Sequence, residues 1–350
     1  ASASETALSN RNVVINGAMQ VAQRATSVAS ITADGYYTLD RWKSRIITMG
    51  TWTQSQSTDV PTGAGFATSL KMDCTTADAS PAAGDNVRFF YGIEGQDLQQ
   101  LKYGTADAEQ LTLSFWVKAT KTGVNVVTLF QDDGTKSISG TYTIETTNTW
   151  EYKTLTFVGN TADVIANDNT RGLLCIWQLG AGSDRTSGTL RTTWTAYAVA
   201  DEAVGQVNNA DSTSNDWYIT GVQLEVGPVA TPFEHRSYGQ ELALCQRYFQ
   251  KLFNNVTSEH VSSGFSASTT KSITTLVFNR MRAIPTVATT TPTLFTTIDG
   301  ITHDSSATAF LNIGGNSVRI DSTTTGLTAK SGALVRTLAS CDGITFDAEL

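Results

Sequence analysis

From Leu111 to Lys118 every second residue is apolar. Leu111, Leu113, Phe115 and Val117 share one face of an extended chain, and Thr112, Ser114, Trp116 and Lys118 share the other. A period of two predicts a β-strand. It also turns Trp116 away from the most apolar face, towards a second covered layer or a binding surface. Runs rich in Val, Ile, Thr, Tyr, Phe and Trp, bounded by Gly, Asn and Asp, predict strands at 36–42, 69–74, 86–91, 110–118, 125–130, 137–144, 150–158, 172–178 and 190–198. Asp132-Asp133-Gly134 falls between two of these runs and reads as a hairpin turn. The spacing is that of an antiparallel sandwich rather than of strands alternating with helices.

Another extended run, Trp217 to Val226, puts Tyr218, Thr220, Val222, Leu224 and Val226 on one face and Ile219 and Gln223 on the other. Gly227-Pro228 and Thr231-Pro232 stop it, because proline lacks the N–H that a ladder needs and restricts the residue before it. Ser237 followed by Gln240 then makes a capping box, and Leu242, Cys245, Phe249 and Leu252 fall on one helical stripe, which predicts a helix over 237–252. Glu241 near its start and Arg247 and Lys251 near its end suit the helix dipole. Beyond it the chain is rich in Thr and Ser, with strands predicted at 270–278, 285–291, 317–321, 333–337 and 343–348 and turns at Asp299-Gly300, Gly314-Gly315 and Asp342-Gly343. The pattern is all-β: a larger sandwich over 12–234, a connecting helix within 235–253, and a smaller sandwich over 254–350, preceded by a polar arm or linker at 1–11.

Composition removes several function classes. The 350 residues carry 24 Lys and Arg against 32 Asp and Glu, a formal charge of −8, with the basic residues scattered singly, so phosphate neutralisation and nucleic-acid binding are not expected. No stretch approaches the roughly 20 consecutive apolar residues of a membrane span. Cys74, Cys175, Cys245 and Cys341 form no CxxC pair and read as small buried hydrophobes. His235, His260 and His303 lack the partners of a metal or catalytic site. Asp132-Asp133 and Asp201-Glu202 are sequence neighbours, whereas glycoside hydrolysis needs carboxyls about 5 to 10 Å apart across a cleft. There is no phosphate loop and no GxSxG elbow, so no catalytic residue is named.

The segments ITGVQLEVGPVATPFEHRSYGQELALCQRYFQK (219–251), NVVINGAMQVAQR (12–24), GYYTLDRW (35–42) and GITFDAEL (343–350) together resemble a family of bacteriophage tail-fibre or receptor-binding virion proteins. The first part is also similar to carbohydrate-binding modules with a jelly-roll sandwich. Those modules carry an Asn-Gly pair in the first strand and an acidic residue at the end of the last, here Asn16-Gly17 and Glu225. The resemblance implies a jelly-roll β-sandwich, a place in the virion beside other virion proteins and a homotrimer; the lack of a long apolar run is what predicts no membrane insertion. Such modules often hold a structural calcium in this region, which would fall at Asn16 and Glu225. The chain departs from the pattern by lacking the further Asp that the modules usually offer in the last strand.

Sugars present an apolar C–H face that stacks on aromatic rings, and all seven tryptophans lie before residue 218. Most are expected in the core. Trp52 and Trp194, set among polar residues, and Trp116 are the candidate glycan-binding positions. The favoured function is an adhesin for a host-surface carbohydrate. The alternatives are a capsid or tail decoration protein that binds no sugar, and a depolymerase of surface polysaccharide.

Overall fold

The alternating runs of the first unit fold into two antiparallel six-stranded sheets. The computed structural model describes residues 10–253, 260–289, 294–298, 301–337 and 343–350. It divides into one unit of Ala1–Leu242 with Leu350 and another of Ala243–Glu349. The strands of the first unit are β1 Ser27–Ile31, β2 Trp42–Ile47, β3 Thr51–Ser57, β4 Ser69–Thr76, β5 Asn86–Glu94, β6 Leu111–Ala119, β7 Gly123–Gln131, β8 Lys136–Ile144, β9 Glu151–Phe157, β10 Arg171–Ala181, β11 Thr195–Ala196 and β12 Asp216–Val226. One sheet has the order β1-β3-β4-β12-β6-β9 and the other β11-β8-β7-β10-β5-β2. The chain passes repeatedly from one sheet to the other, as at β4 to β5, β5 to β6, β6 to β7, β8 to β9 and β9 to β10. This is a jelly-roll sandwich.

The core lies between the sheets. Leu111, Leu113, Phe115 and Val117 of β6 enter it, as the alternation predicts, and meet Phe89 of β5 and Cys175 and Trp177 of β10. Trp42 stacks on Phe89 at 5.0 Å between ring centroids and touches Trp177 at 5.5 Å. Asp132-Asp133-Gly134 forms the turn between β7 and β8, closed by a hydrogen bond from the Thr135 N–H to the Asp132 carbonyl at 3.2 Å.

Four sequence expectations need correction. The strand expected at 36–42 begins only at Trp42, because Arg41 has φ +75°, which breaks an extended run. In 190–198 only Thr195–Ala196 is strand; Asp201 holds the Thr189 N–H at 2.8 Å and Arg191 at 2.6 Å, and these contacts replace a ladder.

The third correction concerns β12. Its register against β6 shifts between Thr220 and Gln223, at Gly221 with φ +62°. This bulge inserts one residue and changes the parity of the strand. Trp217 and Ile219 before it, and Val222 and Leu224 after it, all face the core. Being central in its sheet, β12 is buried almost throughout rather than on one face.

Fourth, the helix runs only over Tyr238–Gln246. Its capping box forms as expected: the Gln240 N–H donates to the Ser237 hydroxyl at 3.3 Å, and the Ser237 N–H donates to Gln240 Oε1 at 3.1 Å. Phe249–Leu252 is instead a strand, β13, paired with Ile344–Asp347.

The second unit continues with β14 His260–Ser268, β15 Lys271–Val277, β16 Thr286–Thr289, β17 Leu294–Ile298, β18 Ile301–Asp304, β19 Ala307–Leu311, β20 Ser317–Thr323, β21 Gly332–Thr337 and β22 Ile344–Asp347. Its sheets have the orders β13-β22-β16 and β18-β17-β21-β14-β15-β20-β19. Val261, Leu276, Phe278, Val318, Ile320, Val335, Ile344 and Phe346 form its core. The positions of residues 1–9, the end of the strand expected at 285–291, the turns at 299–300 and 342, and Cys341 lie outside the described residues.

Candidate functional site

The outer face of the sheet containing β12, β6 and β9 carries the polar half of the β6 alternation. On this face Trp116 stands opposite Thr220 of β12 and Tyr152 of β9. The Trp116 and Tyr152 rings lie 5.3 Å apart, tilted by 50°. Trp116 is half-buried, while Tyr152 is 45% exposed.

The bulge at Gly221 shapes the floor beside them. A Cβ at Gly221 would lie 2.5 Å from the Phe66 ring, so the glycine lets that ring close against the sheet. Phe66 meets Phe233 edge-on at 5.0 Å, and His235 lies 4.9 Å from Phe233. The result is a groove of about 670 Å³ lined by Phe66, Ser114, Trp116, Tyr152, Phe233 and His235, among others. An apolar floor with a few polar groups at the rim is the usual build of a small-molecule site.

The rim is fastened from below. Glu225 is buried and accepts from Gln223 Nε2 and the Thr231 N–H, both at 2.8 Å, and from the Thr231 hydroxyl at 2.6 Å. Gln223 Oε1 accepts the Glu234 N–H at 2.8 Å. The same segment then clasps the start of the unit. Glu234 accepts the Asn12 N–H at 2.8 Å, Arg236 donates to the Val14 carbonyl at 3.0 Å, and Glu241 accepts the Asn16 N–H at 2.5 Å. These bonds hold Phe233 and His235 on a rigid support, which lowers the entropic cost of binding.

Further along the same face lies a second aromatic group. Lys118 sits 4.3 Å from the Tyr218 ring centre and 5.7 Å from that of Trp150, and it is ion-paired with Asp59. Trp150 donates its indole N–H to Asp59 at 2.9 Å. Burial raises the Asp59 carboxyl, but hydrogen bonds from Lys118 and Trp150 outweigh it and hold the group below its ordinary range.

Of the three candidate tryptophans, only Trp116 lines the groove. Trp52 is fully buried in the core and donates its indole N–H to the Met49 carbonyl at 2.9 Å; its polar neighbours Thr51 and Thr53 occupy the opposite face of β3. It is not available to stack on a sugar. Trp194 is half-buried, bonded to the Val158 carbonyl at 2.6 Å and set edge-on to Tyr103 at 5.7 Å. Phe66, Tyr152 and Phe233 were not singled out from sequence, and His235 was weighed there only as a metal or catalytic residue. Tyr152 was the most accessible to such reasoning, since β9 alternates between half-buried and exposed positions and pairs with β6.

Asn16 and Glu225, the positions that the module resemblance would assign to calcium, have their oxygens committed within the fold. Asn16 Oδ1 accepts the Val21 N–H at 2.9 Å, and both Glu225 oxygens are bonded as above. Among the described residues no group of three or more His, Cys, Asp or Glu is placed to hold a metal. In the two pairs of carboxylates adjacent in sequence, Asp132 grips Arg171 at 2.8 and 2.6 Å, and Glu202 binds Arg88 at 2.6 Å.

No protein-family model matches the chain, and no curated protein matches it. Solved structures do match. The enzymatically active domain of tailspike protein 4 from bacteriophage CBA120 is similar at 15% identity and a TM-score of 0.32, over 62% of this chain and 21% of that one. TmCBM61, solved with β-1,4-galactotriose, is similar at 8% identity and a TM-score of 0.30, over 62% of this chain and 99% of that one. The family 11 carbohydrate-binding module of Clostridium thermocellum, solved with a β-1,3-1,4-mixed-linked tetrasaccharide, is similar at 7% identity and a TM-score of 0.29, over 59% of this chain and 98% of that one.

Proposed function

We propose that the first unit recognises a host-surface glycan in the groove at Trp116, and that the chain serves as a non-enzymatic adhesin of a phage particle, of the tail-fibre or receptor-binding kind. The observation that carries the glycan reading is the Trp116–Tyr152 pair, the first ring half-buried and the second exposed, set in a groove with an aromatic floor. Aromatic faces accept the C–H face of a sugar ring, and Ser114 and His235 offer hydrogen bonds to its hydroxyls. The virion assignment rests on the sequence resemblance.

Each stack contributes about 1 kcal/mol beyond area burial, by analogy with aromatic pairs. A single groove therefore binds in roughly the millimolar range, and a homotrimer raises the avidity to a useful level. The formal charge of −8 favours a neutral sugar at this groove.

Trp116→Ala and Tyr152→Ala should each abolish signals on a glycan array and slow adsorption to host cells while leaving the circular dichroism spectrum intact. Unchanged binding in both variants rejects the groove. Absence of any glycan or cell binding by the unaltered protein replaces this reading with that of a decoration protein. Sedimentation at micromolar concentration tests the trimer, and a monomer alone rejects it.

A further inference from the structure

The other sheet of the first unit carries a second pocket, of about 210 Å³, on its outer face. Its floor is apolar: Phe90, Leu174 and Ile176 form a cluster separate from the main core, with Phe130 packed against it. The strand register explains the cluster, since β10 places Ile176 opposite Phe90 and Leu174 opposite Phe130.

The wall is cationic, in a chain whose formal charge is −8. Lys43, Arg45, Arg88 and Arg171 line the pocket, and Glu202 is the one acidic side chain among the lining residues; Leu350 lines it too, its main-chain oxygen accepting the Tyr36 hydroxyl at 2.8 Å. In the pairing of β2 with β5, Arg45 stands directly opposite Arg88. Like charges placed directly opposite each other on neighbouring strands are destabilising. Glu202 does not cancel them, because it is shared between Arg88 and Arg185. Arg171 is satisfied by Asp132. Arg45 has only a 3.4 Å contact with Asp34, both side chains being about two-fifths exposed. Lys43 has no ion-pair partner among the described residues; its ammonium lies 5.8 Å from the Tyr36 ring centre. Positive charge therefore accumulates beside an apolar floor.

We propose that this pocket binds an acidic monosaccharide unit, a uronic or sialic acid, with its carboxylate against Lys43 and Arg45 and its C–H face on Phe90 and Ile176. The net charge of the chain disfavours such a ligand at long range, but within the pocket the local field decides. At physiological salt the Debye length is about 8 Å, so distant carboxylates are screened while Lys43 and Arg45 are not. The site is separate from the groove at Trp116 and does not depend on it.

The test is saturation-transfer NMR and titration of the full chain with the methyl glycosides of glucuronate, galacturonate and N-acetylneuraminate, each beside its carboxymethyl ester. At least one acid should bind in the millimolar range, its uncharged ester at least about tenfold more weakly, and the gap should close as salt is raised. Lys43→Gln combined with Arg45→Gln should weaken the acid about tenfold, and Trp116→Ala should leave it unchanged. The proposal is overturned if none of the three acids binds, if acid and ester bind alike, or if the double variant binds as the unaltered protein does. The acid–ester comparison needs no substitution, so a folding defect in the variant cannot obscure the answer.

Discussion

Trp52→Ala removes an indole sealed in the core, and the expected cost is about 3 to 5 kcal/mol of stability, read as a fall in the urea midpoint at unchanged slope. Trp116→Ala, on an outer face, should cost far less stability and appear instead as lost glycan binding. Trp52 lies between Thr51 and Thr53 and Trp116 between Phe115 and Val117, so the polarity of the adjacent residues points the wrong way for both. The alternation of β6 placed Trp116 correctly because four apolar residues mark its inner face. The short β3 has only Trp52 itself as an apolar marker, so its inward face was not legible. Cys74, Cys175 and Cys245 are buried, as the sequence suggests, and burial pushes the Cys74 thiol up to about 11 and the Cys175 thiol up to about 12. Iodoacetamide at pH 8 should therefore leave both unlabelled in the native protein and label both after denaturation, as peptide mass spectrometry would show.

At the scale of elements, the bulge in β12 decides more than its one extra residue suggests. Gly221→Ala forces a side chain into a left-handed conformation and against Phe66 at 2.5 Å, so we expect a loss of more than about 1 kcal/mol in denaturant unfolding together with weakened glycan binding. Period-two reading places strands well and bulges poorly, because the signal for a bulge is a lone glycine that could equally be a weak point in a regular strand. The reading of 217–226 failed there, in parity rather than in strand existence. The helix shows a similar limit. Its start was legible because the Ser237–Gln240 capping box is local. Its end was not, because Phe249–Leu252 becomes strand by pairing with Ile344–Asp347, nearly a hundred residues away, and tertiary pairing overrides the helical stripe. Floor residues such as Phe66 and Phe233 come from separate parts of the chain, and only the fold brings them together.

For the whole molecule, pH should bound stability on both sides. Asp201 is held below its ordinary range by Arg191 and the Thr189 N–H; Asp321 is likewise held low, hydrogen bonds from Arg319 and Lys271 outweighing its burial. Carboxyls depressed in the folded state contribute stability above their unfolded value, about 4, and lose it as pH falls through the folded value. Burial raises the Tyr103 and Tyr142 hydroxyls, whose contribution is present below their unfolded value of about 10 and is lost as pH rises beyond it. Calorimetry should show a plateau of transition temperature between roughly pH 5 and 9 with falls on either side. The clasp between the start of the first unit and 231–242 also has a mechanical consequence. Its contacts run in the same order along both segments, Asn12 with Glu234, Val14 with Arg236 and Asn16 with Glu241. Tension entering at Asn10 and leaving at Leu242 therefore slides the two segments past each other and loads these bonds together, in shear, instead of peeling them one at a time. The force path closes through the clasp, so Phe233 and His235 of the groove stay in place for as long as these bonds hold. In single-molecule stretching, Glu234→Ala with Arg236→Ala should lower the unfolding force of this unit.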